Sequence, residues 1–343
     1  MDRRERMKVI DLESHFFTRE YAEHLRSKKD LPREIPEETG LKMWYDDVLF
    51  VYRSYALEER LLDIGEERIK HMDANGIDMQ ILSLSGPHVQ FFEPDEGVYW
   101  SKKVNDELSR VVKQHPDRFI GLACVAPQSP DEAAKELERA VAKLGLRGLV
   151  LQSHARHEYL DDQKYWAIFE MAEKLDVPIY IHPEVPPSPI LKYYEKYGFA
   201  LAGPVLGYAA DVALHTMRLI YSGLFDRYPR LRIILGHLGE GLPFWLDRID
   251  FFWLKKWVGK KPPLERRPSD YIKENFLITT SGMSFQPAFM CTFLALGADR
   301  IAFAVDYPYE ESEEALKFMR EAPICDSDKE KIYHLNTERF FKL

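Results

Sequence analysis

Glu13 and His15 stand two residues apart near the end of a short apolar run, Val9-Ile10-Asp11-Leu12-Glu13-Ser14-His15-Phe16. A strand shows alternate side chains to one face, so this carboxylate and this imidazole point the same way. Together they make half of a divalent-metal site. Other apolar runs end alike: Val177-Pro-Ile-Tyr-Ile leads to His182, Leu231-Arg-Ile-Ile-Leu-Gly to His237, and Arg300-Ile-Ala-Phe-Ala-Val to Asp306. Ser85, Ser153 with His154, and Thr280 with Ser281 close further runs. Histidines and carboxylates brought to one centre suit Zn2+, Mn2+ or Fe2+. Taken singly, each residue has a plainer role, since a lone histidine is more often a satisfied core or loop residue and an aspartate before Tyr307-Pro308 often only opens a turn. Unrelated core histidines need not all fall at run ends, and the joint pattern favours a metal site. His24, His71, His115, His215 and His334 fall on helical stretches and read as structural or solvated. His88 and His157 lie in pocket-side loops and stay open, and His154 is the weaker pocket candidate.

The elements that must position these residues are eight apolar strands, near 9–16, 79–85, 119–126, 148–153, 177–183, 231–238, 276–282 and 300–306. Helical periodicity follows them, at 58–75, 97–115, 130–144, 162–175, 208–228, 241–256 and 284–296, with further helices to the end. Asn75-Gly76 supplies one helix stop, and Ser129-Pro130 an N-cap with proline at the first helical position. Strands buried on both faces read as near-continuous apolar runs, as these do. Eight βα units in 343 residues describe one α/β domain, a (β/α)8 TIM barrel spanning 1–343, with the active site at the C-terminal strand ends. The polar, aromatic-dotted stretch at about 18–58 is too long for a structureless connection. It is read as a lid-like insertion with short helices over the pocket mouth, and a second inserted loop precedes 208.

Composition excludes several classes. The formal charge of −9 argues against nucleic acid as a partner but leaves room for a small anion, because a metal and an arginine or two reverse the sign locally. No apolar run approaches the roughly 18 residues of a membrane span. The opening Met1-Asp2-Arg3-Arg4-Glu5-Arg6 is charged and does not read as a secretory leader. Cys124, Cys291 and Cys325 are odd in number and without motif spacing, as ordinary thiols of a reducing, cytoplasmic setting would be.

These residues resemble, over essentially the whole chain, the metal-dependent decarboxylase branch of the amidohydrolase superfamily, nearest to γ-resorcylate, salicylate and 2,3-dihydroxybenzoate decarboxylases. The matching stretches include Leu12-Glu-Ser-His-Phe16, His115-Pro-Asp-Arg-Phe119, His182-Pro183, Ile234-Leu-Gly-His-Leu-Gly-Glu-Gly-Leu-Pro243, Thr279-Thr-Ser-Gly282 and Asp306-Tyr-Pro-Tyr-Glu310. The resemblance implies one divalent ion, Mn2+ or Zn2+ with Mg2+ as a further option, held by Glu13, His15, His182 and Asp306. It places His237 and Glu240 nearby as a second polar pair, and it offers Arg248 as an anion-binding group. Phe16, Tyr307 and the aromatics of 44–55 are candidates to wall an aromatic ring, with His154 beside them. A homodimer or homotetramer is implied as well. Two departures stand out. Ser14 occupies a position where relatives commonly have glutamate, and it faces away. The fourth strand ends Gln152-Ser153-His154 where relatives often show Val-Asn, which bears on the shape of the substrate pocket.

The chemistry expected is decarboxylation of an ortho-hydroxybenzoate, with a proton delivered to the ring carbon and CO2 released. Asp306 is the donor the resemblance implies, and His237 positioned by Glu240 is the physical alternative. Strand 4 carries no lysine that could bridge two ions, and the first strand reads Glu-x-His where hydrolase relatives carry His-x-His. Two carboxylates neutralise a dication, which makes activation of water less favoured. The competing readings are a metal-dependent hydrolase or hydratase acting on a lactone or unsaturated dicarboxylate, and a catalytically silent binding barrel.

Overall fold

The computed structural model describes residues 7–45, 49–259 and 261–343, so the charged opening stretch at 1–6 lies outside the described residues. Eight parallel strands run in chain order around one sheet: β1 (Ile10–Phe16), β2 (Met79–Leu84), β3 (Phe119–Cys124), β4 (Gly148–Gln152), β5 (Ile179–His182), β6 (Ile233–Leu235), β7 (Phe276–Thr279) and β8 (Ile301–Ala302). The apolar runs produce this because each strand is covered twice, by the barrel interior and by a ring of helices. Every residue of β1, β3 and β4 is buried.

The first and last strands close the barrel through backbone bonds. Leu12 donates to the Phe303 carbonyl at 3.1 Å, Asp306 to that of Glu13 at 3.1 Å, and His15 to that of Tyr307 at 2.6 Å. Asp11 ties the seam from inside. Its carboxyl accepts from the Val305 amide at 2.8 Å, the Ser14 hydroxyl at 2.6 Å and the Gln80 side chain at 3.0 Å. The register of β1 on β2 shifts between Asp11 and Ser14, the stretch that holds Glu13.

The insertion after β1 adds a small sheet to the expected short helices. Among the described residues it forms the helix Arg19–Ser27, capped by Thr18, then a three-stranded antiparallel sheet of Arg33–Pro36, Gly40–Trp44 and Phe50–Ser54, and it leads into the helix Tyr55–Leu62. Buried ion pairs fasten this sheet down. Arg53 pairs with Glu34, Arg26 reaches the other oxygen of Glu34 at 3.3 Å, and Arg26 also pairs with Glu58. The Arg53 guanidinium lies 4.6 Å from the centre of the Phe17 ring, which anchors the sheet at the C-terminal end of β1. A small apolar cluster of Leu49, Val185, Leu191 and Ala202 joins this insertion to the second one, after β5.

His215, on the helix Gly207–Tyr221, is fully buried against Tyr159 with neither ring nitrogen hydrogen-bonded. Burial holds its pKa down near 3, from an ordinary 6.5. The unfolded chain therefore takes up this proton first as pH falls from about 6.5 towards 3, and stability is lost through that window. His215→Leu should flatten the acid limb by up to about 1.4 kcal/mol per pH unit, read by urea unfolding across that range.

Candidate metal centre and active site

Glu13 and His15 project from β1, His182 from the end of β5, and Asp306 from the turn after β8. One ligand atom of each lies within 4.8 Å of the others. His15 Nε2 is 2.9 Å from Asp306 Oδ1, and Glu13 Oε1 is 3.6 Å from His15 Nε2 and 3.5 Å from His182 Nε2. Both oxygens of Glu13, Nε2 of His15 and Oδ1 of Asp306 are buried without a well-formed hydrogen bond. Buried polar atoms in native proteins nearly always have partners. Four orphans converging on one point, two of their residues acidic, fit a divalent cation.

The imidazoles are held with Nε2 facing this point. His15 Nδ1 meets the Ser83 hydroxyl at 3.2 Å. His182 Nδ1 meets the Pro183 carbonyl at 2.8 Å and Gln152 Oε1 at 3.0 Å. Ser14 turns away to Asp11, as its alternate position on the strand requires. Gly236 keeps the wall thin, since a Cβ there would sit 2.7 Å from the Tyr180 hydroxyl and 3.5 Å from Glu13 Oε2.

His237 stands at the edge of the set, its Nε2 3.8 Å from Asp306 Oδ2 and its Nδ1 2.6 Å from Glu240 Oε1. The backbone reaches this arrangement through left-handed conformations at His237, Leu238, Glu240 and Asp306, with φ between 51° and 77°. Such strain costs on the order of 1–3 kcal/mol per residue and concentrates at functional sites. Electrostatics follow from the crowding. Burial opposes charge on every member, yet the His15 and His237 imidazoles beside it hold the Asp306 carboxyl well below its usual range. Burial is likewise outweighed at His15, which Asp306 and Glu13 push up to about 9. At His182 burial prevails, with His15 adding to it, and the pKa falls to about 4.

Other expected residues lie elsewhere. Phe16 is fully buried in the hydrophobic core, and the Tyr307 ring is packed against Arg60, Arg68 and His71. Arg248 is exposed, stacks on Phe252 at 4.6 Å, and lines a surface groove of about 850 Å³ that contains no member of the ligand set. His154 is buried, with Nε2 bonded to the Val185 carbonyl at 2.8 Å. The sequence reading missed Tyr309, whose ring lies 5.6 Å from His15 and whose hydroxyl is 2.5 Å from that of Ser85. It also missed Glu184, which lies beside Tyr45, one of the aromatics of 44–55 that the sequence offered. Their polar ends converge at Gly86, where a Cβ would meet the Tyr45 hydroxyl at 3.1 Å and Glu184 Oε2 at 3.2 Å. Burial pushes the Tyr208 phenol well above its ordinary value, and Glu184, Tyr309 and Asp306 add to the effect. The available signals were the positions of Tyr309 three residues after Asp306 and of Glu184 two after His182.

A family model described as Amidohydrolase matches residues 10–343. The chain belongs to the amidohydrolase family. It is 40% identical over 297 residues to a γ-resorcylate decarboxylase of Rhizobium sp., covering 84% of this chain and 90% of the relative. The fold superposes on the 5-carboxyvanillate decarboxylase of Sphingomonas paucimobilis with a TM-score of 0.88 at 34% identity, covering 98% of this chain and 100% of the other. It also superposes on a dihydroxybenzoic acid decarboxylase of Polaromonas sp., solved with bound manganese and the inhibitor 2-nitroresorcinol, with a TM-score of 0.85 at 36% identity and coverage of 98% of each chain.

Within this amidohydrolase, burial disfavours the His237 cation, and Glu240 and Asp306 more than restore it, raising the pKa well above its ordinary value. Glu240→Gln removes the first of these supports. In the metal-free protein the His237 ring should then lose its proton at lower pH, as followed by 15N NMR of the imidazole.

Proposed function

We propose that this chain is a metal-dependent carboxy-lyase that converts an ortho-hydroxybenzoate to CO2 and a phenol. The observation that carries this reading is the buried, unpaired set Glu13, His15, His182 and Asp306, with the His237–Glu240 pair at its edge. The sequence similarity to γ-resorcylate decarboxylases supports it. A divalent ion such as Mn2+ or Zn2+ in that set supplies Lewis acidity towards the oxygens of an anionic aromatic acid.

The residues of the chain do the rest. The ring carbon that bears the carboxylate gains a proton, the electrons of the breaking C–C bond stay with the ring, and CO2 departs. Asp306 or His237 delivers that proton. Asp306 is too acidic to hold one in the free site, and acts as donor only once an anionic substrate offsets the influence of His15 and His237. His237 holds a proton already, and Glu240 keeps the ring oriented while it is lent and returned. Tyr45, Tyr208 and Tyr309 with the lid sheet enclose the ring and limit water. Absence of a lysine from β4 leaves no bridge for a second ion.

A homo-oligomer is part of this reading. The helix Leu242–Trp253 and its neighbours expose Phe244, Trp245, Phe251 and Trp257, a patch that a second copy would cover. A cytoplasmic setting fits the three free cysteines. Among the described residues no single helix is long and apolar enough to cross a membrane.

The test is CO2 release by Mn2+-loaded protein on a panel of ortho-hydroxybenzoates, with a chelated control. Metal-dependent release is expected. Bound metal with no release from any member would turn the reading towards addition of water to a lactone or unsaturated dicarboxylate. Asp306→Asn should lower kcat by about 10²–10⁴, and near-normal turnover in that variant would move the proton to His237.

A further inference from the structure

Three imidazoles meet at the centre, and each has a different partner on its far nitrogen: a hydroxyl for His15, a carboxylate for His237, and a carboxamide for His182. Pro183 O, 2.8 Å from His182 Nδ1, can only accept, so Nδ1 carries the hydrogen and Nε2 keeps its lone pair for the ion. The end of Gln152 that lies 3.0 Å from the same Nδ1 must then be its carbonyl oxygen. The Gln152 NH2 consequently points the other way, where it is buried with no hydrogen-bond partner.

A second orphan lies beside the same ligand. His88 is completely buried with neither ring nitrogen hydrogen-bonded, and His182 is its titratable neighbour. Burial holds the imidazole neutral, with one lone pair and one N–H. The segment that carries it is stapled to Gln152. Two residues on, Gln90 Oε1 accepts from the Gln152 amide at 2.8 Å, and Gln90 Nε2 donates to the His154 carbonyl at 2.8 Å. A buried donor lacking an acceptor and a buried ring lacking both partners thus sit on two segments joined through the Gln90 side chain. An unmet buried group costs about 1–3 kcal/mol, which favours their pairing directly or through one water.

We propose that Gln152 is a positioning residue for the metal site: its carbonyl fixes His182 with Nε2 towards the ion, and His88 in turn supports the Gln152 NH2, directly or through one water. This rests on the four-residue metal reading above. It gives a physical role to the Gln152-Ser153-His154 ending of β4, and to a histidine that touches neither ion nor substrate. A carboxamide does this without adding charge, so the two ligating carboxylates still balance a dication.

The test is the dissociation constant for Mn2+, measured by EPR on the metal-free protein, with thermal unfolding of the same samples. Gln152→Met, which keeps length and loses the acceptor, should weaken Mn2+ binding about 10–100-fold. Gln152→Glu, which keeps an acceptor oxygen, should bind Mn2+ no more weakly than the native protein. His88→Leu should weaken binding severalfold, and His88→Gln should restore it. Native affinity in Gln152→Met overturns the proposal, as does equal weakening in the Met and Glu variants, which would signal damage to packing. Native affinity in His88→Leu removes His88 from the arrangement. Failure of the native protein itself to bind one Mn2+ would overturn the metal reading, and the positioning role with it.

Discussion

Two carboxylates and two imidazoles are packed within 4.8 Å in a space almost closed to water, and the rest of the molecule answers to that crowding. Left alone, the carboxylates would repel each other and forgo hydration that the surrounding protein does not replace. The fold meets this with geometry. Bonds across the seam between the first and last strands bring Glu13 and Asp306 together through their own backbones, and the Asp306 amide donates to the Glu13 carbonyl. The two side chains that most need separating thus belong to residues that are directly linked. Buried protons on His15 and His237 hold the balance in the metal-free protein, and an ion takes over that task when it binds.

Much of this was legible in the sequence. The eight strands could be read because burial on both faces leaves nearly unbroken apolar runs, and the ligand set because its members close those runs. Alternation along a strand also explains one misplacement. Phe16 neighbours His15 on β1, and a neighbour on extended backbone faces the other side, so Phe16 lies in the core. Tyr307 follows Asp306, whose left-handed backbone breaks any strand alternation, and its ring lies among arginines. Arg248 was offered by resemblance, and its exposed position on a helix could not be judged from residue type.

Most of the pocket wall was not legible, for a different reason. The aromatics of 44–55 pointed to Tyr45, but Glu184, Tyr208 and Tyr309 come from separate segments, and no spacing within any of them announces the others. The small sheet after the first strand was hidden similarly. Its strands are short and half exposed, and Pro36 ends one of them, so propensity is weak and pairing decides the structure.

The two insertions share an apolar cluster of their own, made of Leu49, Val185, Leu191 and Ala202, apart from the main core. Each large member contributes about 1.5–3 kcal/mol when buried. The free energy with which this cluster joins the two insertions is therefore a small quantity, held separately from the main core of the barrel. Sequence drift in these few side chains can retune how readily substrate enters and product leaves while the catalytic centre stays as it is. Breathing of the mouth and permanence of the barrel are, in this chain, independently heritable traits.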